Sequence, residues 1–408
     1  IGFCLVGSEM CIRDRSMPIL NRIGEFHGEM TEWRRTLHAH PETAFEEEWT
    51  SDYIASRLET MGLDEIHRGI AKTGIVAVLR NGTSDRSIAL RADMDALDIE
   101  EANDFAHKSQ NPGKMHACGH DGHSTMLLGA AKYLAETKNF DGTVYFIFQP
   151  AEENEGGGRV MVEEGLFDRF PTDAVYGMHN APGLPVGEMT MRAGPSMAGY
   201  DVFEIEVEGY GTHAARPNQG VDPVVVQAQI VLGLQTIASR NVNPVDSVVV
   251  SITQVHGGDT WNVIPQKVVL RGTVRCFKTE VQDQTEARMR QLCESIAAAH
   301  QATATVRYER RYPPTVNDEE HMQRCADVAR ALCGEDKVKT DAPQGMGSED
   351  FSFMLNEKPG CYVRLGNGMT GEPGGIVVHN PLYEFNDEAL PHGASFWAML
   401  VEKELARS

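Results

Sequence analysis

The sequence contains no apolar run close to the roughly 18 to 20 residues that a membrane-spanning helix needs, which excludes a bilayer segment of that kind. It is also short of positive charge. Lys and Arg number 37 against 59 Asp and Glu, a formal net charge of −22. A phosphate backbone would be repelled by such a net charge, which argues against nucleic acid as a partner. The eight cysteines, Cys4, Cys11, Cys118, Cys276, Cys293, Cys325, Cys333 and Cys361, form neither a CxxC pair nor a dense framework. A disulfide scaffold is therefore not expected, and a reducing, cytoplasmic setting is. Internal repeats and low-complexity tracts are absent too. What is present is the composition of a soluble globular protein, 41% hydrophobic and 24% charged over 408 residues, a length that suggests two domains.

Residues 1–16, IGFCLVGSEMCIRDRS, read unlike the rest. A secretory signal would place basic residues before an unbroken apolar stretch; here the stretch is interrupted and the charges follow it. The segment is expected to be a non-native leader, with Met17 as the start and no meaning in Cys4 or Cys11. Beyond it, Thr31 to Leu37 and Asp52 to Met61 have helical spacing. Strand-like runs follow at Gly74–Leu79, Ser87–Arg91, Thr143–Phe148 and Ala174–Met178, with an amphipathic helix at Ser124–Leu134. Strands alternating with helices predict an α/β domain with a mainly parallel sheet. Near Gly194 the character changes. Phe203, Ile205 and Val207 alternate with Glu204, Glu206 and Glu208, the pattern of a sheet with one face in water. Helices at Asp222–Ala238 and Val281–His300 and strands at Ser247–Val255, Lys267–Cys276 and Ala302–Tyr308 complete a β-α-β-β-α-β order, the ferredoxin-like arrangement. The expected division is a catalytic domain over 17–196 and 314–408, interrupted by a smaller lid and dimerisation domain over 197–313.

The densest chemical signal is His116-Ala117-Cys118-Gly119-His120-Asp121-Gly122-His123, just before a helix. Cys118 and His120 are separated by one glycine, so both can face one centre. The plain alternative is a polar helix start capped by Asp121. A second signal, Gln149-Pro150-Ala151-Glu152-Glu153, follows the apolar strand TVYFIF. Adjacent carboxylates there point differently, so one can bind metal while the other moves protons; the carboxyl ends of strands are also where open α/β sheets bind ligands. His179 ends the apolar stretch AVYGM, and His379 ends Ile376-Val377-Val378, which reads as another strand. Each histidine alone would pass as structural. Several strand ends, each offering a potential ligand, can build one cluster at the edge of one sheet. Asp93 and Asp95, at the end of RADMD, share a face by alternation and are candidates to ligate metal or, with Asp121, to orient ligating histidines.

The segments RADMDAL, MHACGHDGHSTMLLGAA, FQPAEE, GMHN, HAARPNQGVDP, GSEDF and HNPLYEFND occur in this order. Over about Met17 to Leu400 the chain resembles the hippurate hydrolase and indole-acetyl-amino-acid hydrolase branch of the aminoacylase/carboxypeptidase metallohydrolases. The resemblance implies that Cys118, His120, Glu153, His179 and His379 hold two divalent metal ions per subunit and that Glu152 is the general base. It implies that His213 reaches the active site of a partner subunit in a homodimer and steadies the oxyanion. Asn262 and Arg275 would contact substrate, Arg275 at its carboxylate, and Gly347 would line the pocket. Two positions depart from the family pattern: Asp98 stands where proline is usual, and Ala181 where an aromatic is common.

The expected reaction is hydrolysis of the amide bond of small N-acyl amino acids by metal-activated water, with Glu152 carrying the proton to the leaving nitrogen. Cys118 reads as a ligand and not a nucleophile, because His120 and carboxylates crowd the same place. Thiolate with imidazole favours Zn2+; the resemblance also admits Mn2+, Co2+ or Ni2+. A dipeptidase or carboxypeptidase using the same site is the alternative, since its substrate is also an amide with a free carboxylate. A non-catalytic binding protein would have lost the base or ligands, and all are present.

Overall fold

A computed structural model describes residues 19–153 and 155–407. The expected leader, Met17, Cys4 and Cys11 lie outside the described residues. The larger sheet has eight strands in the order Glu65–Ile70, Gly74–Asn81, Gly142–Gln149, Ser87–Asp93, Ala174–Pro182, Gly360–Gly368, Met189–Thr190 and Val338–Lys339. Its four central strands, from Gly142–Gln149 to Gly360–Gly368, are mutually parallel, while the hairpin at one side and Met189–Thr190 at the other join antiparallel. The sheet is therefore mainly parallel, as the alternation of strands and helices predicts. Its central strands are apolar on both faces because helices cover both. Ala77 and Leu79 pack with the helices His27–Ala39, His120–Thr137 and Leu390–Glu404, whereas Val76 and Val78 face the opposite layer with Met161 and Phe351.

The second sheet has four antiparallel strands in the order Val248–His256, Lys267–Cys276, Gly199–Glu208 and Thr303–Tyr312. Helices Pro223–Thr236 and Thr279–Ala299 cover one face around a separate core that includes Phe203, Ile205, Val207 and Leu270. This is the ferredoxin-like arrangement inserted into the α/β architecture. The alternating strand Gly199–Glu208 is central, paired on one side with Lys267–Cys276 and on the other with Thr303–Tyr312. The edges are Val248–His256 and Thr303–Tyr312. Alternation reports which face is wet; it does not report which neighbours a strand has. Among the described residues no helix is long and apolar enough to cross a membrane.

Candidate metal centre

The parallel strands end on one edge, and the loops leaving that edge build the site. Ser87–Asp93 leads into Asp95, Gly142–Gln149 into Glu152 and Glu153, and Ala174–Pro182 carries His179. Cys118 precedes, and His120 begins, the helix His120–Thr137. Between them Gly119 adopts φ +93°, and a Cβ there would lie 2.4 Å from Asn180 Nδ2 and 2.5 Å from Tyr383 Oη. Only glycine allows that turn and that approach, and it turns Cys118 and His120 toward one centre. The helix start has no side-chain cap, so Asp121 is not the cap that its position suggests. His379 is also placed differently from expectation. It sits at φ +63° in a turn and not at a strand end; Ile376 and Val377 before it are 41% and 64% exposed. Three β-branched residues in a row mimic a strand, but no described residue pairs with them. The backbone N–H of His379 donates to Ala117 O over 2.7 Å, which ties this loop to the Cys118 segment.

All five expected ligands come together. Donor atoms of Cys118, His120 and His179 lie within 4.8 Å of one another, as do those of Cys118, Glu153 and His379. Cys118 Sγ is 3.3 Å from His179 Nε2, and His379 Nε2 donates to Glu153 Oε1 over 3.1 Å. Two histidines are oriented in the way a metal requires. His120 Nδ1 donates to Asp95 Oδ1 (3.1 Å) and His179 Nδ1 to Asn180 O (2.7 Å), which leaves each Nε2 facing the cluster. His120 Nε2 is buried without a hydrogen-bond partner. A buried nitrogen left unpaired among a thiol and carboxylates fits a cation. The electrostatics agree: burial disfavours charge on His120, but Asp93 and Asp95 outweigh it and raise its pKa to about 10, while burial and His123 hold His179 well below the usual imidazole range. Burial, Glu153 and Glu152 push the Cys118 thiol well up, which disfavours a free thiolate nucleophile. His123 has no lone pair to spare, since its Nδ1 donates to Asp93 Oδ1 over 2.6 Å and its Nε2 accepts from Asn180 N over 3.0 Å.

The expected orienting carboxylates divide. Asp95 holds His120 and also accepts from the backbone N–H of Glu153 over 2.9 Å. Asp93 Oδ2 lies 3.8 Å from His120 Nε2. Asp121 turns away from the cluster; it accepts from His38 Nδ1 over 2.8 Å and lies 3.6 Å from Arg34 Nη1, so it orients no ligating histidine. Glu152 is 7% exposed, and its carboxylate accepts no hydrogen bond from a described residue. Burial, then Glu349, Glu153, Asp350 and Asp95, push its carboxyl well above the usual range. Glu349 and Asp350 were not singled out among the candidate residues, although the GSEDF segment contains them. Their carboxylates cluster with that of Glu152, and buried Arg91 holds both, at 2.9 Å and 3.0 Å.

These groups open into a cavity of about 520 Å³ lined also by Tyr200, Arg275, Gly347, Ser348 and Arg364. Arg275 donates to Ser348 Oγ over 3.0 Å, with its guanidinium carbon 4.1 Å from the centre of the Tyr200 ring. Gly347 lies on the wall. His213 and Asn262 are not on it. They sit together on the inserted domain, where the strands Thr212–His213 and Val263–Ile264 pair and Ala214 N donates to Asn262 O over 2.9 Å. Both are exposed.

The sequence profile of peptidase family M20/M25/M40 matches residues 89–403. This chain belongs to that family. It is 39% identical over 389 residues to a hippurate hydrolase of Campylobacter jejuni, covering 95% of this chain and 100% of the relative. It is 42% identical over 382 residues to an IAA-amino acid hydrolase of Arabidopsis thaliana, covering 92% and 85%. Among solved structures, a dinuclear metal-binding peptidase of the M20 family from Bacillus subtilis superposes with a TM-score of 0.83 at 36% identity, covering 94% of this chain and 99% of that one.

Proposed function

We propose that this M20 enzyme hydrolyses the amide bond of N-acyl amino acids, releasing a carboxylic acid and a free amino acid. The observation that carries the reading is the convergence of Cys118, His120, Glu153, His179 and His379 beside a buried Glu152 whose carboxylate accepts no hydrogen bond from a described residue, at the wall of one cavity. The hippurate and IAA-amino acid hydrolases it resembles support the substrate class. The five residues would hold two divalent ions, Zn2+ or Mn2+, with Co2+ or Ni2+ as further candidates. When bound, such ions polarise a carbonyl and make water acidic enough to react near neutral pH. Glu152 takes the proton of the attacking water and delivers it to the leaving nitrogen. Asp95 keeps His120 in one tautomer and anchors the backbone at Glu153. Arg275 binds the substrate carboxylate, and the small Gly347 leaves space beside it.

His213 and Asn262 act from a partner subunit in a homodimer. Support comes from the ribbon that carries them: beside it Tyr210 is 63% exposed, Val263 49%, and Trp261 fully so. Apolar exposure of that kind marks a surface that another surface covers. The catalytic unit lies over residues 17–196 and 314–408, with 197–313 as lid and dimerisation domain, in a cytoplasmic protein. The test is a panel of N-acetyl, N-benzoyl and indole-acetyl amino acids beside dipeptides, assayed with metal-loaded protein. Hydrolysis of the acyl amino acids is expected. Cleavage of dipeptides alone would replace this reading with a peptidase.

A further inference from the structure

Two guanidiniums line the cavity, and they are held differently. Arg275 comes from the inserted domain and is engaged by Ser348 and Tyr200. Arg364 comes from the sheet itself, on Gly360–Gly368, in register with His179 on the neighbouring strand. Alternation along the strand buries Val363 and Leu365 completely in the core and puts Tyr362 and Arg364 on the side that lines the cavity. The Arg364 side chain has no hydrogen bond or ion pair with any described residue. It runs beside the loop that also carries Ser348: a Cβ on Gly345 would lie 3.7 Å from Arg364 Nη2. Of the cavity's carboxylates, Glu153 is matched by His379 and Glu349 by Arg91 and Tyr362, and only Glu152, the proposed base, has no described partner. A half-buried guanidinium without an anion, in a chain of net charge −22, is a site waiting for one.

We propose that Arg364 binds a second carboxylate of the substrate, so that the enzyme favours dicarboxylic N-acyl amino acids over neutral ones of the same shape. The inference rests on the amidohydrolase reading, in which Arg275 takes the carboxylate that every N-acyl amino acid has. A planar guanidinium matches a carboxylate in two parallel hydrogen bonds. A site built for such a pair rejects the neutral isostere because the isostere leaves its polar group unpaired. The second carboxylate belongs either to the amino-acid side chain or to the far end of the acyl group; the chemistry at Arg364 is the same.

Calorimetric titration of the metal-loaded Glu152→Gln protein, in which turnover is suppressed, separates these sources. N-acetylglutamate is compared with N-acetylglutamine, and N-succinylalanine with N-butyrylalanine. The acid of at least one pair should bind about tenfold to a hundredfold tighter, the worth of a charge-assisted hydrogen bond, and the pair that responds names the end recognised. Adding Arg364→Gln should erase that ratio and leave the neutral ligands unchanged. Arg364→Lys, which keeps the charge without the fork, should reduce it, and this variant serves as the test should Arg364→Gln not fold. The proposal is overturned by the absence of preference in both pairs, by a preference that survives the substitution, or by an equal loss for all four ligands. Turnover of the same compounds by the unsubstituted protein tests the amidohydrolase reading separately. No hydrolysis there would sink that reading, while the binding ratio, which needs no turnover, still decides Arg364.

Discussion

His120 and His213 are assigned to one reaction, yet they stand in opposite surroundings. His120 is 1% exposed, its ring fixed by Asp95 at 3.1 Å, on a helix packed into the main core. His213 is exposed on a two-residue strand whose neighbour is equally short, with its Nδ1 accepting from Ala215 N at 3.1 Å. The difference separates two ways of building a site. Side chains at the edge of one sheet are positioned by the core beneath them and need no other chain. Side chains on the ribbon are positioned only within their own small domain, and in the proposed function they join a site when another surface meets them. The first group should respond to substitution through metal binding, the second through turnover and assembly.

The sharpest break is expected at the cavity floor. Dialysis against a chelator should abolish hydrolysis, and Zn2+ or Mn2+ should restore it. Glu153→Gln should lose metal, read by elemental analysis. Full activity in a sample shown to be free of metal would end the metal-dependent reading. Next in size is Glu152→Gln, which should keep metal and fold and lose about 10²- to 10⁴-fold in turnover. If Glu152→Gln lost metal and Glu153→Gln kept it, the roles within the pair would be exchanged.

At the ribbon, His213→Ala should keep full metal content and lower kcat more than it raises KM, by roughly 10²- to 10³-fold, because an oxyanion donor acts in the transition state. Mixing His213→Ala with Glu152→Gln then sharpens the comparison. A mixed dimer has one site with both defects and one intact, so activity should return on subunit exchange. Exchange without recovery would place His213 in its own chain's site. The smallest effect is expected at Asp95→Asn, which weakens the hold on His120 without removing a ligand. Metal affinity should fall about 10- to 100-fold, as is usual when the partner of a ligating histidine is lost, measured by competition with a chromophoric chelator. An unchanged affinity would mean that packing alone orients the ring.

Much of this molecule is written in nearest-neighbour patterns. The alternation of Phe203, Ile205 and Val207 and the apolar runs Gly74–Leu79 and Thr143–Phe148 announce their strands, because side-chain period follows directly from backbone geometry. The Cys118-Gly119-His120 triplet and the Glu152-Glu153 pair are equally local, so candidate ligands could be named from them and from the family resemblance. Other features depend on groups far apart in the chain. Gly199–Glu208 looks like a strand wherever it sits, and its central place comes from partners at Lys267–Cys276 and Thr303–Tyr312. Ile376, Val377 and Val378 look like a strand and are not one, since no described neighbour pairs with them. Arg91 meets Asp350 across 259 positions, and Asp121 faces His38 instead of the cluster beside it in sequence. Arg364 reads as an ordinary charged residue in an apolar strand; that it faces the cavity and finds no anion follows from the packing of the sheet against the Gly345–Ser348 loop. Local order is set by backbone sterics and periodicity, whereas pairing and charge matching are set by which distant segments the two cores bring together.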